Sequence, residues 1–76
     1  MNENRHHDCG EGRREAIRDL VEGIADIRQG LKCLCRALAD LRCHKDHCAE
    51  KYLIKGIECV ECGLRKAIQA CQAICD

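Results

Sequence analysis

The fold is decided by two stretches, AIRDLVEGIADIRQGLKCLCRA at residues 16–37 and AEKYLIKGIECVECGLRKAIQA at residues 49–70. A small residue recurs every seven positions in both, and we call this set the small-residue seam: Ala16, Gly23, Gly30, Ala37, Ala49, Gly56, Gly63 and Ala70. A glycine inside a helix costs roughly 1 kcal/mol relative to alanine. Four glycines at one heptad position therefore indicate a close approach of two helix backbones, because such packing returns that energy.

Large apolar residues flank the seam at heptad spacing. Intervals of three and four residues separate the members of two series: Ile17, Leu20, Ile24, Ile27, Leu31, Leu34, Leu38 and Leu41 in the first stretch, and Leu53, Ile57, Val60, Leu64, Ala67, Cys71 and Ile74 in the second. This a/d pattern is typical of coiled-coil packing and puts the seam at heptad position g. We predict an all-α fold: two long antiparallel helices in a hairpin that is close-packed through the seam, associating into a four-helix bundle or a larger helical assembly.

Polar segments set the predicted boundaries. Residues 1–8 are expected to form a flexible polar arm, and residues 9–76 a single helical-hairpin domain. In that domain we expect helix 1 over about residues 10–43, a turn over residues 44–47 and helix 2 over about residues 48–75. Folding the chain at this turn would place Gly23 level with Ala70, Gly30 with Gly63 and Ala37 with Gly56. Because the turn lacks Gly and Pro, one continuous helix through it stays open as an alternative.

Positions a and e carry apolar residues that no helix of the same hairpin would cover. The stripe consists of Ile17, Val21, Ile24, Leu31 and Leu38 on helix 1, and of Ile54, Ile57, Leu64 and Ile68 on helix 2. An exposed patch of this size is unusual on a monomeric protein. We therefore expect the chain to associate with itself as a homo-oligomer or polymer, with a dimer that closes a four-helix bundle as the simplest form.

Composition argues against several classes of function. Thirteen basic and thirteen acidic residues cancel, and the chain has no Trp, no Phe and one Tyr, so it lacks the basic and aromatic surface of a nucleic-acid-binding protein. No apolar run is long enough to span a membrane. The sequence contains no Ser/His/Asp arrangement and no Gly-rich phosphate loop. We expect no nucleic-acid or membrane partner, no cofactor and no enzyme activity.

Nine cysteines in 76 residues are typical of a disulfide-rich or metal-binding chain. Residues 1–15 show no apolar segment of a secretory signal, so the location of the protein stays unknown. Three settings are open: a mature extracellular chain that has lost its signal, a cytosolic protein with reduced thiols or bound metal, and a protein made in the cytosol and oxidised later.

Two cysteine pairs are predicted to tie the helices together. In the register given above, Cys33 is nearly level with Cys59 beside the seam, and Cys43 and Cys48 flank the turn. The spacing of C-x9-C, four residues and C-x10-C resembles that of the coiled-coil-helix-coiled-coil-helix proteins, whose helical hairpins are tied by two disulfides. The resemblance covers residues 33–59 only, and the four-residue connection and very long helices depart from that family.

The remaining cysteines have other predicted roles. Cys9 would reach the open end of the hairpin near Cys75, so these two form a third disulfide candidate. Cys9 in the arm and Cys62 at the outward position f are candidates for cross-links between subunits. Cys35 and Cys71, on the side assigned to a partner, are equally well explained as small core residues.

A zinc site is the alternative at the turn. Cys43, His44, His47 and Cys48 form the sequence C-H-x-x-H-C, with two thiolates and two imidazoles within six residues. This donor set suits tetrahedral Zn²⁺, although ordinary zinc motifs use two separated ligand pairs.

Helix 2 offers a copper alternative. Cys59 with Cys62, and Cys71 with Cys75, have spacings that put two thiolates on one helix face, where they can share a Cu(I) ion. The C-x3-C pair is similar to those of the four-helix-bundle copper storage proteins, whose bundles are lined by thiolates. Here the two pairs fall on nearly opposite sides of the helix, so one thiolate-lined channel does not follow.

These observations predict a small cysteine-rich structural protein. It would be a disulfide-tied helical hairpin that oligomerises through its apolar side, with surplus thiols able to cross-link subunits. In these properties it is similar to the short cysteine-rich proteins of bacterial spore surfaces. The alternative function is a thiolate helical bundle that binds or stores Zn or Cu(I). Redox state separates the two, because a disulfide sulfur is no longer a thiolate ligand.

Overall fold

The computed structural model describes the backbone of residues 2–75 and the side chains of residues 11–74. Helix α1 covers Asn2–Arg42 and helix α2 covers Asp46–Cys75, and the two pack against each other as an antiparallel hairpin without any strand in the described part of the chain. The predicted helical hairpin is thus confirmed, and the alternative of one continuous helix is wrong. Because α1 begins at Asn2, residues 2–8 continue the helix instead of forming the predicted arm.

The small-residue seam forms the contact between the helices. Its four alanines are buried, with exposed fractions of 8% or less, and its four glycines are buried with them. A Cβ atom added to Gly23 would lie 2.7 Å from the carbonyl oxygen of Gly63, and one added to Gly63 would lie 2.5 Å from the carbonyl oxygen of Gly23. The two backbones therefore touch, and this closeness explains why glycine occupies these helix positions.

The register differs from the predicted one by one heptad. Gly23 faces Gly63, and Gly30 faces Gly56, so the residue numbers of each facing pair add up to 86. The predicted pairing of Gly30 with Gly63 is therefore wrong. The two other predicted pairs, Gly23 with Ala70 and Ala37 with Gly56, are wrong for the same reason. Both registers place small residues on small residues, because the seam repeats every seven positions. The turn decides between them.

The turn occupies residues 43–45, earlier than the predicted 44–47. His44 adopts a left-handed conformation with φ of 62°. The His44 amide donates a hydrogen bond to the Leu41 carbonyl at 3.1 Å, and the Lys45 amide donates one to the Asp40 carbonyl at 2.8 Å. This pair of bonds is the Schellman motif that ends a helix within a few residues. Asp46 then begins α2, where its carboxylate interacts favourably with the positive end of the helix dipole.

In the described part of the chain, the core of the hairpin consists of small side chains. Ala16, Cys33, Ala37, Ala49 and Ala70 are its buried apolar residues, and no large side chain in the described part of the chain is fully buried. The molecule is a rod of 62 × 13 × 11 Å with a radius of gyration of 17.6 Å. A globular chain of this length would have a radius of gyration of about 11 Å. The fold thus leaves most large apolar side chains uncovered.

Candidate functional site

One side of the hairpin is lined by large apolar side chains, and we call it the apolar face. It consists of Ile17, Leu20, Val21, Ile24, Leu31, Leu38 and Leu41 on α1, and of Leu53, Ile54, Ile57, Leu64, Ile68 and Ile74 on α2. Each of these side chains is between 37% and 62% exposed. The set includes every residue of the predicted a/e stripe, together with four residues at position d. The predicted stripe is therefore uncovered in the single chain.

Both helices contribute to the same face. Antiparallel helices that meet at position g present their d, a and e positions to one side of the hairpin. A shallow groove of about 230 Å³ near the open end shows this directly, because Ile17 and Leu20 line it from α1 and Ile74 lines it from α2. The seam residues Ala16 and Ala70 also line this groove.

The exposed area of the chain is large for its mass. Its solvent-accessible surface is 6279 Å², whereas a folded monomer of 8.6 kDa exposes about 4,700 Å². The excess of about 1,600 Å² is twice the area that each partner buries in a standard protein interface, about 800 Å². A core of alanine and glycine cannot offset this exposure, because small side chains bury little apolar area.

The opposite side of the hairpin is polar and is tied by an ion pair across the helices. The Lys66 ammonium donates a hydrogen bond to Asp26 Oδ2 at 2.8 Å and lies 4.0 Å from Glu22 Oε1. The hydrogen bond to Asp26 raises the pKa of Lys66, and the charges of Asp26, Glu22 and Cys62 add to this effect. Among the described residues, no large apolar side chain is exposed on this polar side.

Near the turn, Arg36 is held by two contacts. Its Nε lies 3.6 Å from Asp40 Oδ1, and its guanidinium stacks 5.3 Å from the centre of the Tyr52 ring. Asp40 is 7% exposed, and its Oδ2 has no hydrogen-bond partner. The register puts Asp40 beside the first turn of α2, whose partial positive charge favours a carboxylate. Arg36 thus connects Asp40 on α1 with Tyr52 on α2 at the closed end of the hairpin.

The structure does not bring the predicted disulfide partners Cys33 and Cys59 together. Among the described residues, Cys33 and Cys59 are both outside disulfide bonds. Cys33 is buried and its sulfur accepts a weak hydrogen bond from Gln29 at 4.0 Å. It is level with Leu53, and Cys59 lies about 9 Å further along α2, beyond the reach of a disulfide. The pairing of Cys33 with Cys59 within one hairpin therefore loses its geometric basis.

The other cysteine predictions remain untested. Cys43 lies in the turn and Cys48 in the first turn of α2, and both are exposed. Cys62 is exposed on the polar side, as expected for a cross-linking thiol. The side chains of Cys9 and Cys75 lie outside the described residues.

No preformed metal site is visible in the part of the chain whose side chains the structure describes. Within residues 11–74, no three side chains of His, Cys, Asp or Glu converge as ligands would. The predicted zinc ligands Cys43, His44, His47 and Cys48 lie at the turn and in the first turn of α2 and are all exposed. Cys59 and Cys62 line a shallow pocket of about 320 Å³ with Asp26, Lys55 and Glu58, and Cys71 is exposed elsewhere on α2.

Comparisons with protein families, with curated proteins and with solved structures gave no match to this chain. In the described part of the chain, neither helix has a stretch that is long and apolar enough to cross a membrane. The feature that sets this molecule apart is therefore its own geometry: an apolar face on a hairpin that has almost no core.

Proposed function

We propose that this protein is a small structural protein that assembles with copies of itself through the apolar face. The observation that carries the proposal is the contrast between thirteen half-exposed large apolar side chains and a core made of small residues. Full burial of an apolar side chain of this size is worth about 1.5–3 kcal/mol. These side chains are about half exposed, so covering the face would add roughly half of that value for each of them. A second hairpin supplies a matching apolar face and would close a four-helix bundle.

The exposed thiols would then lock the assembly. Cys62 lies on the polar side of the hairpin, away from the apolar face, and is accessible to thiols of neighbouring bundles. In such a cross-link each of two thiols loses one proton and one electron as the S–S bond forms. Molecular oxygen accepts both electrons and both protons and is reduced to hydrogen peroxide. Cys9 is the second predicted cross-linking residue.

Native material purified without reductant tests this proposal. We would measure its intact mass, its content of free thiols and its bound metal together. The proposal expects covalent species that return to the 8.6 kDa chain on reduction, with few free thiols and no stoichiometric metal. Mostly free thiols with stoichiometric copper or zinc would reject it and support the metal-binding bundle.

A further inference from the structure

We infer that the second copy docks with its turn at the same end of the rod, so that α1 packs against α2 of the second copy. The inference rests on the proposed self-association and adds the geometry of the interface. Two face-to-face dimers with twofold symmetry are possible. In one, the axis runs along the rod and the turns lie at the same end. In the other, the axis crosses the rod, the turns lie at opposite ends, and each helix packs against its own copy.

Symmetry fixes the register of the first arrangement. Rotation about an axis along the rod leaves every residue at its own height. A residue of α1 is therefore level with the same residue of α2 in its own chain and in the second copy. The seam glycines define this register, in which the numbers of two level residues add up to 86. In this register Ile24 lies within two residues of the height of Leu64 of the second copy, and Leu31 lies within two residues of the height of Ile57. All four side chains are at least 42% exposed in the single chain, so these contacts would cover them.

Near the middle of the rod, the outer edges of the apolar face then carry opposite charges. Arg28, at position e of α1, is level with Glu58 of the second copy and lies within one helical turn of Glu61. All three residues are exposed in the single chain. Next to this pair, Val21 lies within one turn of Ile68 of the second copy. On this edge an apolar side chain therefore faces an apolar side chain, and the Arg28 cation faces two carboxylates.

The second arrangement puts like charges together. The outer edge of α1, positions e and b, is predominantly basic, because besides Glu11 it carries Arg14, Arg18, Arg28, Lys32 and Arg42. Packing α1 against its own copy would set this edge against itself. Overlap of the whole apolar face would also bring Arg28 within about one turn of its copy, and Glu61 within about one turn of its copy. Like-charge contacts of this kind disfavour one partner arrangement relative to another.

Charge reversal at Arg28 and Glu61 tests the geometry. The dimer dissociation constants of Arg28→Glu, Glu61→Arg and the double variant are measured by sedimentation in reducing buffer. Each single variant should weaken the dimer about tenfold, because exposed ion pairs between the copies become repulsive, and the double variant should recover part of that loss. Lys55→Glu, on the polar side, is the matched control and should leave the constant unchanged.

The alternative arrangement predicts different results. There each single variant replaces one like-charge contact with another, so the dissociation constants would stay at the wild-type value and overturn the inference. A wild-type chain that stays monomeric would instead reject the proposed self-association itself.

A cross-linking experiment on the wild-type chain needs no variant that could fail to fold. Isotopically light and heavy chains are mixed under reducing conditions and treated with a short amine-reactive cross-linker. The inferred geometry places Lys45 in the two turns side by side, so heavy–light links between two Lys45 residues are expected. Cross-linked dimers without this product would contradict it.

Discussion

His44 has a conformation that its side chain does not favour. Its φ of 62° lies in the left-handed region, which costs an L-residue roughly 1–2 kcal/mol and costs glycine nothing. We expect His44→Gly to raise the free energy of unfolding by about 1 kcal/mol, and His44→Val to lower it, because β-branched residues fit this region worst. Urea unfolding at one fixed protein concentration measures both. A less stable glycine variant would show that the His44 side chain stabilises the turn.

For the seam glycines we expect the opposite effect, because glycine is the residue that fits there. Gly63→Ala improves helix propensity by about 1 kcal/mol, but its Cβ would lie 2.5 Å from the Gly23 carbonyl oxygen and from Ile27 Cγ1. Overpacking typically costs about 1–3 kcal/mol, so we expect the variant to be less stable than wild type. Gln69→Ala, at an exposed position of the same helix, is the control and should be slightly stabilising. If thermal unfolding ranked both variants above wild type, the backbones would not touch at Gly63.

At the scale of the helices, the sequence predicts the pairing but not its register. Heptad spacing predicts two helices and the face at which they meet, because both follow from local periodicity. A seven-residue repeat cannot distinguish registers that differ by seven residues. The sequence contains one further signal for the register. The seam residues read Ala-Gly-Gly-Ala in each helix, so a chain folded back at residue 43 pairs glycine with glycine and alanine with alanine.

The turn and the cysteines were harder to predict for a physical reason. A left-handed histidine ends α1, whereas sequence patterns favour glycine at such a position. The predicted pairing of Cys33 with Cys59 depended on the register and lost its basis with it. The apolar face, in contrast, follows from helical periodicity alone and does not depend on the register.

The two faces of α2 should respond differently to the same new charge. Ile57 is 50% exposed at the centre of the apolar face, and Gln69 is exposed on the other side of the helix. Ile57→Lys should weaken self-association by at least tenfold, since a lysine charge would be buried against a second apolar face. Gln69→Lys should leave it unchanged. Equal sedimentation of the two variants and wild type would argue that another surface forms the interface.

For the whole molecule, we expect reduction to separate bundles without unfolding them. The described part of the hairpin is held by the seam, the turn and the Lys66 ion pair, and none of these involves a disulfide. Adding reductant should therefore convert covalent species into dimers or small oligomers while the helical circular dichroism signal stays constant. Loss of the helical signal on reduction would mean that disulfides hold the hairpin itself.

The rod has a radius of gyration of 17.6 Å, and among its described residues no large side chain is fully buried, so it lacks the core on which domains of this size depend. The central claim is therefore that a second copy covers the apolar face. Sedimentation equilibrium of the wild-type chain, with reductant and a metal chelator present, tests it most directly because neither disulfides nor metal can then hold subunits together. We predict a mass of at least two 8.6 kDa chains. A fully helical species with the mass of one chain would contradict the claim.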